Sequence, residues 1–197
     1  MKRITILIVG LLFSSLALAY EPKAGDIVFH TSLSQQSIAV QAATNSPYSH
    51  MGIVLYKDSK PYVFEAVQPV KYTPLDAWLN RGKGKHYVVK RLKSPLSALA
   101  ITRLQEDAAH YVGKPYDLSF EWSDSRIYCS ELVWKLYKSA TDIELTPLAE
   151  LGSFNLTNPA VKATLIERYG SQVPLNEPVV APVAIFESPL LVTVAQR

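Results

Sequence analysis

YCSELVWKLY, residues 128–137, contains the single cysteine of the 197-residue chain, Cys129. Leu132, Val133 and Leu136 recur at helical spacing, so the stretch predicts an amphipathic helix that begins near Cys129 and packs its apolar face on a core. The cysteine then lies in or beside the first turn. Unpaired backbone N–H groups and the positive end of the helix dipole favour a thiolate at such a place.

A lone cysteine also has a plainer interpretation, as a small buried apolar residue or a bystander thiol. With one cysteine the chain forms no internal disulfide, so Cys129 has no partner that would explain it. An enzyme that attacks a carbonyl needs an ionised nucleophile and donors aimed at the oxygen that becomes negative, and a helix N-terminus offers both. Position alone leaves the two interpretations open.

The first nineteen residues have the pattern of a secretory leader. Lys2 and Arg3 precede an apolar run over 4–12, and Ala17-Leu18-Ala19 resembles a cleavage site. A retained membrane anchor is the weaker alternative, because the apolar run is short. We therefore expect a signal peptide at 1–19, a single domain over 20–197, and export to the bacterial periplasm.

Composition excludes several classes of protein. Without Lys2 and Arg3 the chain has 18 basic residues against 17 acidic ones, with no concentrated basic run, so nucleic acid is not an expected partner. After signal cleavage no stretch has the length of a membrane span. No paired His/Cys spacing suggests a metal, and no glycine-rich loop suggests a phosphate cofactor. We expect neither cofactor nor metal.

Apolar and turn residues alternate along the first half of the chain, whereas helical periodicity dominates later. Short links join the predicted strands, so an antiparallel meander is expected. Strands are predicted at 27–30, 49–56, 61–67 and 86–92. Besides the cysteine helix, helices are predicted at 34–44, 73–79 (capped by Thr73), 95–112 and 158–169. The segment from Pro174 onward is expected to lie over the domain as a tail.

Four histidines are candidates for a base. His50 opens an apolar strand, and Gly52, on the same side of it, would leave room for a ligand to approach. His30 and His86 fit solvent-exposed strand positions, and His110 fits a structural place on the long helix. The pattern therefore favours His50.

A third group usually orients a catalytic histidine through its other ring nitrogen. Glu65 lies in an apolar run, on the strand expected to pair with the His50 strand, and a carboxylate among apolar neighbours is costly unless it is paired. An edge-strand glutamate that points into solvent is the alternative. Spacing does not choose between them.

Five motifs together resemble the papain-like hydrolases of the NlpC type. They are Gly25-Asp26-Ile27-Val28-Phe29, Ser49-His50-Met51-Gly52-Ile53-Val54, Val63-Phe64-Glu65-Ala66, Gly113-Lys114-Pro115-Tyr116-Asp117 and Tyr128-Cys129-Ser130-Glu131-Leu132-Val133. In that family the cysteine helix usually precedes the histidine strand. Here His50 precedes Cys129 by 79 residues. The chain therefore resembles the circularly permuted branch, and within it the YiiX/YebB-like cysteine hydrolases.

The resemblance implies an α+β, circularly permuted papain-like domain, with an antiparallel sheet packed against the cysteine helix. It implies Cys129 as nucleophile, His50 as base and Glu65 as the orienting group, although the family often has a histidine or an amide in that third position. Tyr116 is implied as an oxyanion or pocket residue; a core tyrosine is the alternative.

The expected function is an exported thiol hydrolase that cleaves an amide bond in a cell-wall peptide or related envelope amide. A lipid or thioester hydrolase or acyltransferase with the same residues is the first alternative, and an inactive binding module is the second. A broad apolar groove beside Cys129 would favour the lipid substrate, whereas a polar, charge-lined groove would favour the peptide.

Overall fold

The structure is a computed structural model and describes residues 20–197. The predicted signal peptide, at 1–19, lies outside the described residues. Among the helices of 20–197, none is both long enough and apolar enough to cross a membrane.

Strands come first and helices dominate later, as the sequence predicts. Strands β1 to β8 span Ile27–His30, His50–Lys57, Lys60–Glu65, Lys71–Pro74, Val88–Leu92, Ala149–Glu150, Pro178–Val179 and Leu191–Gln196. Helices α1 to α6 span Gln35–Thr44, Leu75–Leu79, Ala98–Ala109, Cys129–Thr141, Pro159–Tyr169 and Pro182–Phe186. Every predicted strand and helix matches an element to within three residues at either end.

Six strands form one sheet in the order β4-β3-β2-β1-β5-β8, and every pairing is antiparallel. The predicted meander is confirmed for β1 to β3, whereas the fourth predicted strand, 86–92, is β5 and pairs with β1 instead of β3. Strand β2 is buried along most of its length because the sheet is covered on both faces. Ile53 belongs to the core that α4 completes, and Val54 belongs to the cluster that Trp78 of α2 completes.

Helix α4 begins at Cys129 and carries its apolar face into the core. The Glu131 carboxylate accepts a hydrogen bond from the Tyr128 N–H at 3.3 Å, which caps the first turn. Ser130 Oγ donates to the Val180 carbonyl at 2.7 Å, and the Val180 N–H donates to the Tyr128 hydroxyl at 3.1 Å. These bonds hold the N-terminus of α4 against the segment between β7 and α6.

The helix predicted at 73–79 begins later than expected. Residues 71–74 pair with β3 as strand β4, with Thr73 opposite Val63, so Thr73 is no helix cap. Helix α2 begins at Leu75, after Pro74. Because β3 supplies the backbone partners of this segment, pairing overrides the local capping pattern.

The segment from Pro174 onward is not a tail laid over the domain. Its last strand, β8, pairs with β5 and forms one edge of the main sheet. Ile185 of α6 and Val180 are buried in the principal core. Hydrophobic alternation over so few residues was too weak to predict these elements among the prolines.

Candidate active site

Cys129 is the first residue of α4 and is 4% exposed. Its thiol is therefore placed at the positive end of a thirteen-residue helix. The main sheet lies on one side of it, and α1 and α5 lie on the other.

His50 is the first residue of β2 and is buried opposite His30 of β1. Its Nε2 lies 2.6 Å from Glu65 Oε2, and Cys129 is close enough to the ring to raise its pKa. Because Nε2 is bound to Glu65, Nδ1 is the nitrogen left for Cys129. Burial alone would lower the pKa of His50, but the adjacent Cys129, the hydrogen bond with Glu65, and the charges of both raise it to about 9. The imidazole therefore carries a proton at neutral pH.

Glu65 ends β3 and its side chain is fully buried. Besides His50, it accepts hydrogen bonds from Thr73 Oγ1 at 2.6 Å, Trp78 Nε1 at 2.8 Å and Arg81 Nη1 at 3.0 Å. Burial would raise the pKa of this carboxyl, but the bonds and charges of His50 and Arg81 hold it well below its usual range. The solvent-facing alternative is therefore wrong, and Glu65 stays ionised.

The sequence did not identify three of the groups that hold Glu65. Thr73 reaches it from β4, Trp78 from α2, and Arg81 from the turn after α2. None has a local motif, because only the pairing of β3 with β4 brings these segments over Glu65. An unexplained carboxylate in an apolar strand was the one available signal that donors must converge there.

His30 is buried, and the expectation of an exposed position for it is wrong. Its ring stacks on Trp78 at 4.1 Å between centroids and lies 5.3 Å from the His50 ring. Burial and the nearby His50 cation lower the pKa of His30 to about 3, so it stays neutral. His86 and His110 are exposed, as expected, and lie outside this cluster.

Gly52 does not leave room for a ligand. A Cβ at this position would lie 2.4 Å from Val63 Cγ1 and 2.9 Å from the Phe64 carbonyl oxygen. Gly52 therefore lets β3 approach β2 closely, which brings Glu65 within reach of His50.

Tyr116 lies between Gln36 and Gln68. Its hydroxyl accepts a hydrogen bond from Gln36 Nε2 at 3.0 Å, and its backbone N–H donates to Gln68 Oε1 at 2.7 Å. Burial and the charge of Cys129 raise the pKa of the Tyr116 hydroxyl well above its ordinary value. Tyr116 thus keeps its proton, and its O–H can donate a hydrogen bond.

Two pockets meet at these residues. The first, of about 90 Å³, has Cys129 in its wall and an otherwise mostly apolar lining from α1, α5 and the segment before α6. The second, of about 330 Å³, has His50 in its wall, and half of its lining residues are serine or glutamine. Tyr116, Gln36 and Ser49 border both pockets.

Metal ligands are a separate question for a site that contains cysteine and histidine. Within 20–197, no group of three or more His, Cys, Asp or Glu side chains is arranged to hold a metal ion. Structural and catalytic zinc sites take at least three protein ligands.

Comparison with known proteins agrees with this architecture. Residues 21–195 match the model of a family described as permuted papain-like amidases, YaeF/YiiX. The uncharacterized protein YiiX of Escherichia coli (strain K12) is 49% identical over 192 residues, which cover 98% of this chain and 95% of that protein. The crystal structure of yiiX from Escherichia coli O157:H7, described as a metalloprotein, matches with a TM-score of 0.87 and 50% identity over 90% of this chain and 99% of that one. The α+β fold, the antiparallel sheet against the cysteine helix and the family match lead to one conclusion: the chain belongs to the permuted papain-like amidase family of YaeF and YiiX, a family of cysteine hydrolases.

Proposed function

We propose that this chain is an exported thiol hydrolase that cleaves an amide bond of an envelope substrate through an acyl-enzyme, with Cys129 as nucleophile, His50 as acid and base, and Glu65 as the positioning group. One observation carries the proposal. The thiol at the start of α4 is close enough to the His50 ring to raise its pKa, and Nε2 of that ring lies 2.6 Å from the buried Glu65 carboxylate. That is the arrangement that an activated nucleophile requires.

In the first half of the reaction, Cys129 Sγ attacks the carbonyl carbon of the amide. Backbone N–H groups at the start of α4 stabilise the oxyanion, and the Tyr116 hydroxyl is a further donor from the pocket wall. His50 gives its proton to the nitrogen as the C–N bond breaks, so the amine leaves neutral. The acyl group is then held on sulfur as a thioester.

In the second half, neutral His50 takes a proton from a water molecule, and the resulting hydroxide attacks the thioester carbonyl. The C–S bond breaks, the acid leaves, and the protonated His50 again lies beside the sulfur. Glu65 fixes the ring through Nε2 in both halves and stabilises the imidazolium. Because four side chains donate to Glu65, it holds this position without accepting the proton itself.

The pocket beside Cys129 favours a second candidate for the substrate. Its lining is mostly apolar, with Val40, Leu165 and Val180 among the residues. A cell-wall peptide presents polar groups around the scissile bond, whereas a lipid or thioester acyl group presents apolar surface. The lining supports an acyl group that is apolar near its carbonyl, and the same Cys/His chemistry hydrolyses an ester or thioester.

Export is also part of the proposal and rests on the leader sequence alone. Lys2, Arg3 and the apolar run before Ala17-Leu18-Ala19 support secretion into the bacterial periplasm. The inactive binding module is the weaker alternative, because a bare cleft has no chemical need for the buried His50–Glu65 contact.

The test is Cys129→Ala assayed with cell-wall peptide fragments, N-acyl amides and acyl thioesters. We expect wild type to form an acyl adduct on its single cysteine, visible by intact-protein mass spectrometry, and the variant to lose both the adduct and turnover by about a thousandfold or more. Cys129→Ser is the matched control, since it preserves shape but not the thiolate. Turnover that persists in Cys129→Ala would remove the nucleophile assignment.

The substrate panel separates the two candidates. Faster acylation by cell-wall peptides would favour the peptide amidase, and faster acylation by apolar amides or thioesters would favour the lipid or thioester hydrolase. A thiol that alkylates at the same slow rate in wild type and in His50→Ala would favour the binding module.

A further inference from the structure

The two pockets face opposite ends of the scissile bond. His50 must give its proton to the leaving amine, and His50 lines the polar pocket. The leaving group therefore occupies the polar pocket. The acyl group, which remains on Cys129, is left with the first pocket, whose wall contains Cys129 and not His50.

The acyl pocket is apolar but not uncharged. Among its lining residues, which all lie in the described part of the chain, Arg168 is the one whose side chain carries a permanent charge. Arg168 lies in the last turn of α5, and its guanidinium stacks over the Phe120 ring at 5.1 Å. This cation–π contact holds the guanidinium at the pocket wall.

No carboxylate in the described part of the chain forms an ion pair with Arg168. Its Nη1 is buried without a hydrogen-bond partner within 20–197. Asp117 is near enough to influence it, but that carboxylate accepts the N–H groups of Ser119 at 2.8 Å and Glu121 at 2.6 Å. A buried guanidinium donor without a partner is costly, so this position favours a hydrogen-bond acceptor from outside the chain.

We propose that Arg168 binds a carboxylate on the acyl part of the substrate, so that the enzyme selects short apolar acyl groups that carry a carboxylate. A guanidinium offers paired N–H donors that match this planar anion. The pocket volume of about 90 Å³ is smaller than the ~150 Å³ cavity that accepts benzene, which sets the scale of the chain between the two groups. The inference rests on the proposed function, because it takes Cys129 as the atom that receives the acyl group.

The test uses small electrophiles instead of an unknown substrate. N-chloroacetyl derivatives of glycine, β-alanine and γ-aminobutyrate, each paired with its primary amide, place a carboxylate or a neutral group at increasing distance from the reacting carbon. Cys129 Sγ displaces chloride from each and forms a thioether. For at least one chain length we expect wild type to react with the carboxylate about tenfold or more faster than with its amide.

Arg168→Gln should abolish this preference, so that each carboxylate reagent reacts at about the rate of its primary amide. Arg168→Lys should keep part of the preference through its charge. Arg103→Gln is the matched control, since Arg103 is exposed on α3 and lies outside both pockets. It should retain the full preference.

The outcomes separate the two proposals. Equal carboxylate-to-amide ratios in wild type and Arg168→Gln, at every chain length, would overturn the role of Arg168 and leave the Cys/His pair intact. A thiol inert to all six reagents, and indifferent to His50→Ala, would instead overturn the proposed function, and the Arg168 inference with it.

Discussion

Two glutamates flank the same cysteine, and both side chains are fully buried, yet they differ in charge. Glu65 lies beyond His50 and has a pKa well below its usual range. Glu131 lies two residues after Cys129, and burial raises its pKa to about 7. Equal burial has therefore produced one permanent anion and one group that titrates near neutral pH.

The number and charge of the donors account for the difference. Glu65 receives four side-chain donors, of which Arg81 is a permanent cation and His50 is protonated. Glu131 has the Tyr128 N–H and the Lys135 ammonium at 2.9 Å, and Lys135 also pairs with Asp124 at 2.7 Å. Desolvation acts on both carboxylates, but only the donors of Glu65 outweigh it.

The largest effect is expected from Glu65→Gln, which removes the anion from among its donors. Buried, protonated His50 and partly exposed Arg81 then lose their counter-charge, so we expect a loss of about 3–5 kcal/mol in the free energy of unfolding. Because His50 loses its positioning group, kcat should fall about tenfold or more. Urea denaturation at pH 7 and steady-state kinetics measure the two effects.

The pH dependence of the stability deficit shows whether the charge of Glu65 causes it. Since the pKa of Glu65 is depressed in the folded protein, its contribution is present above about 4.5 and is lost as pH falls below that value. The stability deficit of Glu65→Gln should therefore shrink in acid. A deficit below about 1 kcal/mol at pH 7, with kcat unchanged, would show that Glu65 contributes no more to stability than an ordinary surface ion pair does.

Glu131→Gln should stabilise the folded protein, whereas Glu65→Gln should destabilise it. A raised pKa means that the folded protein holds the proton more tightly than the unfolded chain, so wild type loses stability as pH rises from about 4.5 to about 7. Glutamine accepts the Tyr128 N–H equally well but has no charge to desolvate. Relative to wild type, the variant should gain about 2–3 kcal/mol between pH 5 and pH 8.

Parallel urea titrations of wild type and Glu131→Gln at several pH values measure this gain. A difference in stability that does not change from pH 5 to pH 8 would mean that Glu131 is ionised throughout, as Glu65 is. A difference that falls with pH would mean that Lys135 stabilises the anion more than burial opposes it.

The sequence predicted the residues that local patterns reveal, and it missed those that depend on contacts between distant segments. Cys129 in the first turn of a helix and His50 at the start of a strand depend on local periodicity, and the structure places both there. For Glu65 the sequence supplied an unexplained charge in an apolar strand and two interpretations. The position of β3 beside β2, which Gly52 allows, decided between them.

The remaining groups depend on contacts between distant segments. Arg81 follows a helix whose start was misplaced, because pairing of β4 with β3 competes with the capping pattern at Thr73. Arg168 lies on a correctly predicted helix, but nothing local shows that α5 packs on α1 beside Cys129. The hydrophobic periodicity of a segment does not reveal a side chain whose partners lie on another helix or strand.

The smallest effect is expected from Trp78→Phe, which tests whether the donors of Glu65 act together. Trp78→Phe removes one hydrogen bond, at 2.8 Å, and leaves three donors, so we expect a loss of about 2 kcal/mol and a fall in kcat of only a few-fold. Trp134→Phe is the matched control, because Trp134 Nε1 donates at 2.8 Å to the neutral Thr146 carbonyl. It should cost about 1 kcal/mol and leave kcat unchanged. If Trp78→Phe lowers the free energy of unfolding as much as Glu65→Gln does, the carboxylate depends on a complete set of donors. If the two tryptophan variants lower it equally, the charge of Glu65 adds nothing to the hydrogen bond from Trp78.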